Sequence, residues 1–169
     1  MTSPMYMNSV PVFKQLLTAL QLILAKADAH ACAKAIAPEA LLQARLYPDM
    51  FALAKQVQVA ADFARGISAR LAGVDVPVFD AEQQSFSDLN TLLTRTLTFL
   101  DQLDSAAFAG SESKEIVLRA GTPKEKTLSG QAYLSNYGLP QFFFHVTTAY
   151  ALLRHNGLDI GKREFMGAY

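Results

Sequence analysis

Apolar residues recur three and four positions apart through most of this chain, and proline- and glycine-rich breaks divide the recurrence into segments. The first run, Phe13, Leu16, Leu17, Leu20, Ile23, Leu24 and Ala27, lays one apolar stripe along a helix. Ser9 stands where an N-cap belongs and Pro11 falls in the first turn. In the connector that follows, Pro38 opens a short helical turn, and Tyr47-Pro48 closes it, because the residue before a proline disfavours helical backbone. From Asp49 a second stripe runs through Met50, Leu53, Ala54, Val57, Ala61, Ala64, Ser68 and Leu71 and stops at Gly73, a suitable C-terminal cap.

The stretch "VDVPVFDAEQQ", residues 74–84, is broken by proline and reads as a linker draped over the helices. Ser87 is the predicted N-cap of a third helix carrying Leu89, Leu92, Leu93, Thr96, Leu97, Leu100 and Leu103. The period then changes. Ile116 to Leu118 and Lys126 to Leu128 flank a Gly121–Pro123 turn, which predicts a small hairpin. Ser129 opens a fourth helix that should kink or restart at Gly138-Leu139-Pro140 and stop at Asn156-Gly157, with an irregular tail beyond. Four long helices with one hairpin predict a single all-α domain over residues 1–169: a four-helix bundle with a hairpin inserted between its third and fourth helices.

Composition narrows the function. The chain has 169 residues, 51% of them hydrophobic, enough for one core. Lys and Arg number 15, as do Asp and Glu, so no basic excess favours nucleic acid. A single cysteine, Cys32, excludes an internal disulfide or a cysteine-rich metal site and fits a reducing cytoplasm. "LLTALQLILA", between Lys14 and Lys26, falls short of the roughly 20 apolar residues of a membrane span. Walker, nucleophile-elbow and HExxH motifs are absent.

Chemistry concentrates on the fourth helix. His145 shares a face with Phe142, Val146, Ala149 and Leu152 and points inward. His155 lies about 80° around and about 15 Å further along the axis, so one ion cannot take both histidines. The i+4 neighbour of His145 is Ala149, which offers no ligand. His155 and His30 read as cations at helix ends. On the second helix, Gln58, Asp62 and Arg65 follow i, i+4, i+7 spacing. They form either a surface stripe with an Asp62–Arg65 pair or one wall of a pocket facing His145. Phe143, Thr147 and Tyr150 make a further face of the fourth helix, to be covered by a second copy of the chain in a homodimer, by the linker or by the tail.

The strings "ARLYPDMFALAKQVQVAADFARGISARLAG", "LPQFFFHVTTAYALLRHNG" and "GKREF" resemble an uncharacterised bacterial family of unknown function within the DinB/YfiT-like superfamily, and the resemblance covers nearly the whole chain. It implies a DinB-like four-helix bundle, commonly a homodimer. It also implies a superfamily of metal-dependent enzymes acting with low-molecular-weight thiols. Their divalent metal is held by one histidine on the second helix and a His-x3-His pair on the fourth. Here His145 matches one member of the pair, Ala149 replaces the other, and Met50 to Ala72 contains no histidine. The expectation is therefore a cytoplasmic, dimeric, non-catalytic small-molecule binding or interaction module. It has no metal or other cofactor, no nucleic-acid or membrane partner, and pocket candidates His145, Asp62, Gln58 and Tyr150. The alternative is a thiol transferase or isomerase with zinc or nickel on His145 and Asp62.

Overall fold

The computed structural model describes residues 3–79 and 85–169. Helix α1 (Pro4–Met7) is capped by Ser3, and α2 (Val10–Ala33) follows almost at once. Ser9 occupies the expected N-cap position, yet its hydroxyl donates back to the Met5 carbonyl at 2.6 Å and so ties the two helices together. Every apolar position predicted for this helix, Phe13 through Ala27, is buried. By length and composition alone the stretch Pro4–Ala33 is apolar enough to cross a membrane, but half of its most apolar window is buried in the bundle.

Helix α3 (Pro38–Leu42) is the predicted short turn. It ends before Tyr47-Pro48, and Arg45 Nη1 holds the remaining connector by donating to the carbonyls of Pro48 and Met50, each at 3.2 Å. Helix α4 (Leu53–Ala72) begins later than the apolar pattern from Asp49 suggested, since Ala52 is extended and serves as its cap. Gly73 closes it in the left-handed conformation at φ 76°.

In the linker, Phe79 lies between two guanidinium groups, Arg65 at 4.2 Å and Arg95 at 4.1 Å from the ring centroid. These contacts pin the linker to the helices on either side. The rest of the predicted linker, residues 80–84, lies outside the described residues. Helix α5 (Phe86–Asp101) is capped by Ser85 rather than Ser87. The reason is reciprocity: Ser85 Oγ accepts from Asp88 N at 3.0 Å while Asp88 Oδ2 accepts from Ser85 N at 3.1 Å. Ser87, two residues too late for that exchange, is an exposed helical residue.

Strands β1 (Glu115–Leu118) and β2 (Lys126–Ser129) form the predicted antiparallel hairpin, with Glu115 opposite Ser129 and Leu118 opposite Lys126. Ile116 anchors it in the core. Ser129 then caps α6 (Gly130–Ala132), which continues through a π-helical turn, Tyr133–Gly138, into α7 (Leu139–His155). The wide turn is the form taken by the kink expected at Pro140, whose ring nitrogen has no hydrogen to donate. The tail is more ordered than its glycines suggested. Helix α8 (Lys162–Met166) lies on α2, where Gln15 Nε2 donates to the Met166 carbonyl at 2.9 Å. Five residues are too few to show a helical period in sequence.

The long helices α2, α4, α5 and α7 form the bundle. Helix α4 packs along α7 and α5, and α2 packs along α5 and α7. Architecture, hairpin and helix order therefore follow the sequence pattern.

Candidate functional site

His145 is indeed buried on α7, 6% exposed, but its partner on α4 is Gln56 and not Gln58 or Asp62. Gln56 is itself 1% exposed and its Oε1 lies 2.7 Å from His145 Nδ1. The amide is oriented by its other end: Gln56 Nε2 donates to the Phe51 carbonyl at 3.1 Å, and a carbonyl can only accept. The oxygen must therefore face His145, so Nδ1 carries the proton and Nε2 of the neutral ring carries the lone pair. Burial lowers the imidazole pKa from its usual value and reinforces the neutral form. The ring lies among aromatic neighbours, with Phe51 at 6.3 Å and Phe63 at 5.9 Å between centroids, each within 21° of parallel.

This geometry decides how well the residues fit the superfamily's metal. Of the three expected ligand positions, one is His145 and one is Ala149, whose methyl is fully buried and offers no donor atom. The residue on α4 facing His145 is Gln56, and both ends of its amide are already hydrogen bonded. Among the described residues no group of three His, Cys, Asp or Glu side chains converges. The donor set does not fit a three-histidine ion.

The other candidates stand elsewhere. Gln58 lines a polar cleft of about 310 Å³ with Gln43, Arg45, Phe51 and Lys55, to which His145 does not contribute. Asp62 is exposed and accepts from Arg65 Nη2 at 2.5 Å. It lies six residues beyond Gln56, about 9 Å along the helix axis. The sequence reading of an Asp62–Arg65 pair holds, but Arg65 is buried, and its Nε and Nη1 find no partner among the described residues. Tyr150 points away from His145: its ring meets Phe165 of α8 edge-on at 5.6 Å. That part of the Phe143, Thr147 and Tyr150 face is thus covered by the chain's own tail, while Phe143 and the neighbouring Phe144 remain 39% and 54% exposed.

Asp62 does line a cavity, one the sequence did not reveal. A space of about 220 Å³ opens between α4, the end of β1 and the π turn, walled by Phe63, Ile67, Leu118 and Tyr137, with Arg70, Arg119 and Tyr133 bringing polar groups to it. Phe63 separates it from His145. Three distant segments meet here, so no local spacing could announce the site. Gln56 was more legible: it follows Leu53 by three positions and precedes Ala60 by four, a polar residue in a core register.

A helical bundle with these long helices, a hairpin before the last of them and a lone inward histidine is a DinB-like fold. The crystal structure of a DinB family member protein from Shewanella denitrificans at 1.83 Å resolution superimposes with a TM-score of 0.91. It is 34% identical over 97% of this chain and 92% of that chain. Within that class the chain belongs to the family described as Domain of unknown function (DUF1993), which matches residues 5–166. No curated protein matches it.

Proposed function

We propose that this DinB-like bundle is a non-catalytic, metal-free small-molecule binding or interaction module. The observation that carries the proposal is the Gln56–His145 hydrogen bond, which spends the α4 side chain best placed to be a ligand on holding the imidazole. Ala149 supports it from the other side, since the place of the second histidine is taken by a buried side chain with no donor atom. The module works as a cytoplasmic homodimer, in keeping with the free, exposed Cys32 and with the exposed rings of Phe143 and Phe144 on α7.

A second reading has one specific support. His145 Nδ1–H is held by an oxygen acceptor, which leaves Nε2 as a lone-pair donor, the arrangement usual for metal-bound histidines. A thiol transferase or isomerase with a reduced ligand set would use that nitrogen. Elemental analysis of protein purified without a histidine tag separates the readings. The module reading expects no stoichiometric zinc or nickel. A full equivalent of metal that is lost in His145→Ala and kept in His155→Ala would overturn it in favour of the enzyme.

A further inference from the structure

We propose that the cavity between α4, the end of β1 and the π turn binds a small carboxylate whose body is a single flat ring, with Arg70 and Arg119 taking the charge and Tyr133 donating to it. The proposal rests on the reading of the chain as a small-molecule binding module and supplies its site and ligand class.

The walls set the size and shape of the ligand. Phe63, Ile67, Leu118 and Tyr137 present apolar surface, and Tyr133 and Tyr137 stack at 5.8 Å with planes 21° apart. Phe63 meets Tyr137 edge-on at 5.9 Å. The volume of about 220 Å³ exceeds the roughly 150 Å³ that accommodates benzene in an apolar protein cavity. It is below the ~300 Å³ at which drug-sized ligand sites begin. One ring bearing one carboxylate fits those limits.

The polar groups set the charge. Arg70 and Arg119 bring two cations to the cavity, against one carboxylate, Asp62, which already accepts from Arg65. Arg70 Nη1 makes only a long contact, 3.4 Å, to the Tyr133 hydroxyl. Most of its planar fork of donors stays available for bidentate pairing with a carboxylate. Tyr133 is 1% exposed, and its hydroxyl accepts from Arg70 while its own hydrogen meets no acceptor among the described residues. Burial raises its pKa above the ordinary tyrosine value, so it remains a donor at neutral pH. A buried hydroxyl with an uncommitted hydrogen beside two guanidinium groups calls for an anionic acceptor.

Gly66 provides an independent sign. It lies in the interior of α4, where glycine is a poor helix former. A Cβ at this position would stand 2.6 Å from Arg70 Nη1. The glycine leaves space over the helix that the Arg70 guanidinium occupies at the cavity. Alanine at this position would favour the helix and push the mobile end of Arg70 off its present place beside Tyr133.

The test is an NMR titration of the intact protein with benzoate, with benzamide as its uncharged counterpart and inorganic phosphate as an anion without a ring. Benzoate should saturate with a Kd on the order of 1 mM or tighter, perturbing Phe63, Tyr133 and Tyr137 amides. Benzamide should bind about tenfold more weakly, as should benzoate to Arg70→Gln or Arg119→Gln, while Arg154→Gln should bind like wild type. Gly66→Ala should weaken benzoate binding while raising Tm, a combination that damage to the fold would not produce. No saturation by about 10 mM benzoate, equal binding of benzamide, phosphate binding where benzoate fails, or wild-type affinity in both arginine variants would each overturn the site. Metal content measured on the same samples keeps the two proposals apart. Failed titration of metal-free protein removes this site alone, whereas stoichiometric metal removes the module reading whatever benzoate does.

Discussion

Replacing Gln56 with alanine should destabilise this protein by about 3 kcal/mol, and the figure follows from what the side chain holds together. Gln56 is 1% exposed and links α4 to α7 and to the connector before α4, through Oε1 to His145 Nδ1 at 2.7 Å and Nε2 to the Phe51 carbonyl at 3.1 Å. Leaving the His145 N–H buried without an acceptor costs about 1–3 kcal/mol, and the second bond contributes about 1 kcal/mol. The one buried methylene lost, Cγ, adds about 0.8 kcal/mol. Alanine's better helix propensity returns less than about 0.5 kcal/mol, and local relaxation offsets part of the cavity. For a chain of this length a loss near 3 kcal/mol corresponds to a fall in Tm of about 6–12 °C. Urea unfolding is the direct assay, with an unchanged m value showing that both variants unfold to a similar state. The control is Gln58→Ala, two positions along the same helix, half-buried and without a hydrogen bond among the described residues. It should stay within about 0.5 kcal/mol of wild type. A loss below about 1 kcal/mol for Gln56→Ala, or an equal loss for Gln58→Ala, would refute the assignment of Gln56 as the histidine's partner.

Two further outcomes test other parts of the structure. Burial lowers the pKa of His145 in the native state, so above the ordinary value near 6.5 both folded and unfolded chains hold it neutral and its contribution is intact. As pH falls through that value toward the lowered native one, the unfolded chain binds the extra proton and stability drops. His145→Gln should flatten the stability profile as pH falls below about 7; a slope unchanged from wild type would contradict the assignment. On assembly, Phe144→Asp should shift the species seen by multi-angle light scattering from dimer to monomer without loss of helical circular dichroism. Tyr150→Asp should instead lower Tm, because Tyr150 packs on Phe165 of its own chain. A wild-type protein that is already monomeric would end the dimer proposal.

Helical periodicity was enough to place α2, α4, α5 and α7, because each buries a stripe whose spacing is a property of the local backbone. The hairpin was equally legible, since its register depends on two short runs and the turn between them. Boundaries were less so. The cap of α5 moved from Ser87 to Ser85 because a reciprocal bond with Asp88 mattered more than the choice of a serine, and α8 is too short to display a period.

The inward direction of His145 and the lack of a ligand at Ala149 were also local facts, available from residues one turn apart. The histidine's partner was not. Gln56 and Gln58 are both glutamines on one helix, and only the packing of α4 on α7 turns the first toward the imidazole and the second toward a cleft with Gln43 and Arg45. The cavity of Arg70, Arg119, Tyr133 and Tyr137 lay still further from view, since it draws on a helix, a strand end and a π turn. Sequence by itself determined the elements, the core and the incomplete histidine pattern, all of which depend on neighbours along the chain. The tertiary structure alone decided which polar groups meet, because a site is made by residues that the chain brings together only after its helices have packed.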